Sequence, residues 1–284
     1  MREFKLPLPV FYFLSLGGLL LWGCNVEGPQ TASENASIDG ASWNLIFEDE
    51  FENLAAWDAW YGGAFNNEIQ LYTKEQLNLE EGILKINALR KPVVGPSLPN
   101  DTTPKNFEYV SGRIESKDLY GPSDQDGERE YRFVARIKLP SGHGMWPAFW
   151  TYGDPWPTQG EIDILEARGS ETDRFSSNIY FGPTNGVNIN QDTESKHTIG
   201  QNLTEDFHLY EMIWRPNSIE ILFDNEIVHA YEASRNNNIE QLLGKKQKIV
   251  FNTAVGGWFF RDQDANNYAD SSTMEVDWVR VYKR

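Results

Sequence analysis

The sequence predicts an all-β sandwich, and three observations carry that prediction. Short segments with alternating apolar and polar residues recur along most of the chain, separated by Gly, Pro, Asn and Asp turn signals. Only residues 239–243 show a helical pattern, and that stretch is brief. The chain has 284 residues, of which 40% are hydrophobic and 24% charged, ample for one sandwich-sized domain with a large core.

Taken in order, residues 1–23 read as an export signal. Arg2 and Lys5 form a basic start, and the apolar run over 10–22 is too short to span a bilayer. Leu21-Trp22-Gly23-Cys24 then resembles a bacterial lipobox, with Cys24 as the lipidated first residue of the mature chain. Trp22 departs from the small residue usual before the glycine. The alternative is an ordinary secreted protein with a free cysteine. Residues 24–42 are rich in Ser, Ala, Asn, Gly and Glu without apolar period, and read as a flexible tether.

The globular domain spans 43–284. Residues 43–51 alternate loosely. Residues 77–88, with Glu81-Gly82 at their centre, predict a hairpin. Residues 91–105 hold several prolines and predict a loop. Residues 110–117 alternate again, with Ser111, Arg113 and Glu115 on one face, and 129–139 predict a strong strand. Residues 207–214, 218–223 and 226–230 form a run in which Asp224-Asn225 is a tight turn. Strands over 248–255 and 273–282 close the domain.

One stretch carries candidate chemistry, Gly160-Glu161-Ile162-Asp163-Ile164-Leu165-Glu166. On a strand, Glu161 and Asp163 share a face while Ile162 and Ile164 point into a core. Glu166 falls on the wrong face unless one extra residue, a β-bulge at Ile164 and Leu165, returns it. Glu161 and Glu166 then lie roughly 13 Å apart at Cα. Side chains leaning together close the carboxylates to about 5–6 Å, the separation of a retaining glycosidase. Asp163 between them raises a neighbour's proton affinity. The competing reading is a polar strand edge with solvated acids.

Upstream stand Lys138-Leu139-Pro140-Ser141-Gly142-His143-Gly144-Met145-Trp146-Pro147-Ala148-Phe149-Trp150 and Trp156-Pro157. With the acidic stretch, this resembles glycoside hydrolase family 16, in its laminarinase-type branch with the longer E-x-D-x-x-E motif. Further blocks in matching order include Phe47-Glu48-Asp49-Glu50-Phe51, Asn66-Asn67-Glu68, Ser111-Gly112-Arg113-Ile114, Asn252-Thr253-Ala254-Val255-Gly256-Gly257 and Val276-Asp277-Trp278-Val279. The resemblance implies a β-jelly roll of concanavalin A-like type, with a substrate cleft on the concave sheet. It implies Glu161 as nucleophile, Glu166 as general acid/base and Asp163, next to the nucleophile, as the tuner of its protonation. Asn66 and Arg113 match positions that hydrogen-bond sugar hydroxyls. Trp146 and Trp150 share a strand face and are expected as cleft floor or wall, or else as core. Trp156 and Trp258 are candidate sugar platforms. No cofactor is implied for catalysis. A structural calcium ion is implied at Asp277 by side chain, with Glu50 and Gly82 through carbonyls; the alternative is that Asp277 only pairs with a neighbouring Arg or Lys. Two positions depart from relatives, Val134 in place of a frequent glutamate and Tyr180 in place of a frequent histidine.

Composition narrows the partners. Net charge is −17, which repels nucleic acid and argues against anionic polymers, while a neutral glucan is indifferent to it. One cysteine excludes an intrachain disulfide. The four histidines lack zinc spacing, and no phosphate loop or dinucleotide fingerprint occurs. The expected partner is a β-1,3-glucan polysaccharide met by a monomeric enzyme, with membrane contact through the lipid anchor alone. Alternatives are mixed-linkage glucan or algal galactan as substrate, or a surface glucan-binding protein without turnover.

Overall fold

Alternation of buried and exposed side chains decides where strands form. Residues 83–88 of this chain run half-buried, buried, half-buried, buried, the pattern of a sheet with one face in a core. The computed structural model describes residues 42–123, 129–260 and 264–284. The export signal, Cys24 and the tether up to residue 41 lie outside the described residues.

The first part of the chain gives β1 (Asn44–Asp49), β2 (Trp57–Ala59), β3 (Gln70–Tyr72), β4 (Leu77–Glu80), β5 (Ile83–Leu98), β6 (Asp101–Ser111) and β7 (Arg113–Ser116). The middle gives β8 (Tyr131–Lys138), β9 (Met145–Tyr152), β10 (Glu161–Glu166), β11 (Arg174–Tyr180) and β12 (Ser195–Thr198). The last part gives β13 (His208–Trp214), β14 (Ser218–Phe223), β15 (Glu226–Glu232), β16 (Lys248–Val255) and β17 (Ser271–Lys283). The helical stretch is a single 3-10 turn over Ile239–Leu242.

These strands form two sheets. The ten-stranded sheet runs β15-β14-β13-β8-β17-β5-β6-β3, with β1 added on β17 and β4 on β5. The seven-stranded sheet runs β12-β11-β10-β9-β16-β7-β2. The chain crosses between the sheets repeatedly, which is the jelly-roll connection. Between them, Phe133, Met212, Trp214, Val276 and Val279 of the larger sheet meet Ile114, Phe149, Ile162, Ile164, Leu165 and Phe251 of the smaller. Phe149 and Phe251 stack at 4.8 Å between centroids. Each such side chain contributes about 1.5–3 kcal/mol on burial.

The two predicted turns have the chemistry that hairpins need. Glu81 and Gly82 both take positive φ (54° and 76°), as do Asp224 and Asn225 (48° and 69°). Paired positive φ matches the twist of the flanking strands.

The region over 91–105 departs from the expected loop. β5 and β6 continue through it as a long antiparallel pair in which Pro96 faces Pro104. Two register shifts, between Arg90 and Val93 and between Pro96 and Leu98, break the ladder there. Proline lacks an N–H to donate, so it fits where pairing is interrupted or where a strand is an edge. On the N-terminal side of Tyr109 no strand among the described residues pairs with the outer side of β6, because β3 pairs only with Tyr109, Val110 and Ser111.

Val134 lies on β8 of the larger sheet, buried with Trp43, Ile213, Leu222 and Tyr282 in an apolar cluster. Its role there is packing.

Candidate active site

The acidic stretch forms β10, inside the seven-stranded sheet between β9 and β11. On β9, Trp150 pairs with Asp163 and Ala148 with Glu166, so Phe149 alone faces the two residues Ile164 and Leu165. On β11, Asn178 pairs with Asp163 and Ser176 with Glu166, again leaving one residue opposite two. The extra residue therefore belongs to β10, where a β-bulge was expected. Ile162, Ile164 and Leu165 are fully buried in the core. Glu161, Asp163 and Glu166 are left on the other face.

Burial and mutual repulsion hold protons on this face. Glu161 is pushed up to about 8, chiefly by burial and then by the charge of Glu166. Asp163 is raised well above the usual carboxylate range by burial, then by Glu166 and Glu161. Glu166 is pushed up to about 7 by burial, while the indole N–H of Trp146 pulls it down. Three acids so placed titrate as a group, in which the charge of one member raises the proton affinity of its neighbours.

Trp146 Nε1 donates to Glu166 Oε1 at 2.7 Å. Trp150, on the same face, donates from Nε1 to Asn252 Oδ1 at 2.7 Å, and Asn252 Nδ2 donates to the Tyr72 hydroxyl at 3.2 Å. Ala148 between the two indoles is buried and small, and Phe149 points into the core. The expected sharing of a face by Trp146 and Trp150 holds, since both meet polar partners there. The buried indole N–H of Trp156 has no hydrogen-bond partner among the described residues, yet it stands near enough to Glu161 to hold that carboxyl's pKa down.

Arg113 is buried, with its guanidinium 4.1 Å from the Trp60 ring and 4.9 Å from the Trp150 ring. Its Nε and Nη2 donate to Glu115 Oε1 at 3.0 and 2.6 Å. The Tyr152 hydroxyl and Lys248 also bond the Glu115 carboxylate. Asn66 takes positive φ (62°), and its carbonyl accepts from the Trp258 N–H at 2.8 Å. The Trp258 side chain is 70% exposed. Glu68, buried close by, accepts from Gln70 Nε2 at 2.6 Å, and burial pushes it up to about 7. Tyr180 pairs with Glu161 across β10 and β11, accepts from Asn178 Nδ2 at 2.8 Å and lies 6.3 Å from the Trp156 ring.

Sequence reasoning passed over several of these groups. Glu115 stood on the same predicted face as Arg113, a signal that was available. Asn252 opened one of the matching blocks. Trp60 carried none, because its partner Arg113 is distant in sequence.

The expected calcium positions gather where β1, β5 and β17 meet. Asp277 sits at a register shift between Val276 and Trp278, and the Glu50 carbonyl lies 3.4 Å from where a Cβ on Gly82 would stand. The carboxylates are already engaged, Asp277 with Arg136 and Glu50 with Arg280 at 2.7 Å. Among the described residues, no three His, Cys, Asp or Glu side chains group to hold a metal ion. The Asp277 carboxylate thus stands in the pairing with a neighbouring arginine that was its alternative, while the expected Glu50 and Gly82 ligands are backbone carbonyls.

The sequence profile of glycosyl hydrolases family 16 matches residues 71–280. The chain is 31% identical over 271 residues to glucan endo-1,3-beta-glucosidase A1 of Niallia circulans, covering 86% of this chain and 38% of that one. It is 30% identical over 270 residues to a glucan endo-1,3-beta-glucosidase of Cryptopygus antarcticus, covering 85% and 92%. The crystal structure of an endo-beta-1,3-glucanase from Pyrococcus furiosus superposes with a TM-score of 0.73 at 30% identity, covering 88% of this chain and 97% of that one.

Proposed function

The chain belongs to glycosyl hydrolases family 16, and on that premise we propose that it is a retaining endo-β-1,3-glucanase acting on laminarin-like polysaccharide. The observation that carries this reading is the bulged β10, which leaves Glu161, Asp163 and Glu166 on one face. A carboxylate oxygen of Glu161 attacks the anomeric carbon as the bond to the leaving oxygen breaks, and Glu166 gives that oxygen its proton. Glu166, now ionised, takes a proton from water, whose oxygen displaces Glu161 from the sugar. Two inversions give net retention. Burial raises the proton affinity of Glu166, and Asp163, next to the nucleophile, tunes the protonation of Glu161.

A reducing-sugar assay on laminarin, lichenan, agarose and carrageenan tests the substrate class. Release from laminarin at the highest kcat/KM is the expected result. Hydrolysis of a galactan with laminarin untouched overturns it. Laminarin binding without any turnover favours the glucan-binding reading, which the three retained acids oppose.

Two further parts of the reading concern the whole chain. Export and lipidation at Cys24 place the enzyme at a bacterial envelope, with residues 25–42 as spacer. Equal solubility of wild type and Cys24→Ala on cell fractionation sinks that idea. A calcium ion at Glu50, Gly82 and Asp277 takes no part in the chemistry and needs Asp277 to release Arg136. Ions that bind only the native state raise its stability by mass action. Chelation should then lower the Tm and leave initial rates unchanged. An unmoved Tm on adding EDTA to calcium-loaded protein removes the ion from the account.

A further inference from the structure

Glu166 owes its orientation to Trp146, and Trp146 has a neighbour that the reaction scheme does not use. The indole of Trp146 and the ring of Phe259 stack at 4.4 Å between centroids and 13° between planes. The guanidinium of Arg168 lies 3.9 Å from the centre of the same Phe259 ring. Arg168 also donates from Nε and Nη2 to the Phe259 carbonyl, at 3.0 and 2.8 Å. Phe259 is thus gripped by ring and by backbone. The three residues come from separate places: the start of β9, the segment after β16, and two residues beyond Glu166.

We propose that Phe259 and Arg168 are positioning residues, a clamp that fixes the Trp146 indole and through it the general acid/base Glu166. This rests on the reading of Glu166 given above. An indole N–H can only donate, so the oxygen it bonds must accept. Glu166 Oε1 accepts from Trp146, which favours the other oxygen, Oε2, as the carrier of the catalytic proton. That assignment holds only while the indole plane stays put. A flat stack and a bidentate Arg on the neighbouring carbonyl restrict it, and an arginine makes the ring contact and both hydrogen bonds from one rigid plane, which a lysine ammonium does not.

The clamp acts in a crowded field. Glu161 and Asp163 on the same strand, Glu194 ahead of β12 and Glu68 ahead of β3 all bear on the triad from the acidic side, and Arg168 is the positive charge beside Glu166. Loosening Trp146 removes a bond that favours the ionised carboxylate, so Glu166 should hold its proton to higher pH. Misplacing a catalytic group by about 1 Å can cost on the order of a hundredfold in rate.

The test uses Phe259→Leu, Phe259→Tyr and Arg168→Lys, each assayed on laminarin and on an activated aryl β-glucoside across pH. Phe259→Leu should lose roughly ten- to a hundredfold in kcat on laminarin with KM little changed. It should lose less in the glycosylation step of the activated substrate, which needs no acid, and its basic limb should move to higher pH. Phe259→Tyr keeps the stack and should restore wild-type behaviour. Arg168→Lys keeps the charge without the planar fork and should follow Phe259→Leu; it serves alone if the leucine variant does not fold. A rise in KM alone, with equal loss on both substrates and an unmoved pH limb, would make Phe259 a wall for sugar and overturn the clamp. Glu166→Ala run alongside separates the two levels. Leaving-group dependence in Glu166→Ala but not in Phe259→Leu sinks only the clamp. Its absence from Glu166→Ala sinks the acid/base assignment beneath it.

Discussion

Glu161 and Glu166 are the same residue type on the same strand, and the tasks proposed for them differ. Glu166 carries a hydrogen bond from Trp146 at 2.7 Å, while Glu161 lies near the buried indole N–H of Trp156 and feels the charge of Arg113. Removing either carboxylate should cost several orders of magnitude, in different ways. Glu161→Ala loses the nucleophile, so natural and activated substrates should suffer alike. Glu166→Ala loses the proton donor, yet an activated aryl glucoside should still form the glycosyl-enzyme. Its breakdown is then slow for want of a base, and added azide should speed it. The azide product should have the β configuration. An α-azide from this variant reverses the two roles. These acids were legible because they lie within one heptapeptide whose alternation exposes them. Their supports were not: Phe259 and Arg168 stand 91 positions apart, and no local pattern announces a stack between them. Arg113 was foreseen as a sugar ligand, and its Nε and Nη2 donate to Glu115. Its guanidinium also lies against the Trp60 and Trp150 rings.

At the scale of the element, strands were legible wherever alternation met a clear turn. The hairpin at Glu81 and Gly82 and the turn at Asp224 and Asn225 formed as the residues demand. Prolines misled over residues 91–105, since a strand with a broken register tolerates what an inner ladder excludes. The bulge in β10 was inferred from the need to bring Glu166 round, and both neighbouring strands accommodate it. The end of the seven-stranded sheet holds a feature with a pH consequence. On β12, His197 is buried, with its Nε2 bonded to Ser177 Oγ at 2.9 Å; Ser177 in turn meets the Tyr231 hydroxyl at 2.7 Å. Burial, and then the neighbouring His229, lower its pKa from 6.5 to about 4. The unfolded chain therefore binds a proton that the fold refuses between those values, and stability falls as pH drops from 6.5 towards 4. His197→Gln should flatten that part of the Tm–pH curve, and thermal melts across the window read it directly. With about 1.4 kcal/mol per unit as the upper scale, the wild-type loss is of the order of a few kcal/mol. An unchanged acid slope in the variant moves the cause to other groups.

Across the whole molecule, charge decides which polymers the enzyme can meet. A net charge of −17 remains after every positive side chain is balanced by an acid. Arg280 pairs with Glu50 and Arg284 with Glu130, so each of these two cations has an acid beside it. Such a field repels polyanions at a distance and leaves neutral chains unaffected, so it acts on substrate class before any contact in the cleft. The effect reaches about 10 Å at 0.1 M salt and about 30 Å at 0.01 M. Activity on laminarin should therefore be insensitive to ionic strength, with kcat/KM flat between about 0.01 and about 0.15 M salt. Any trace activity on a sulfated galactan should rise over the same range, because salt screens the repulsion that keeps the polymer away. Carrageenan and laminarin assayed side by side in a sodium chloride series give the comparison, with kcat/KM as the quantity read. Were laminarin turnover to change severalfold with salt, charge would be steering a neutral substrate. A carrageenan activity that stays flat over the same series would instead assign the selectivity to contacts in the cleft rather than to the field of the molecule.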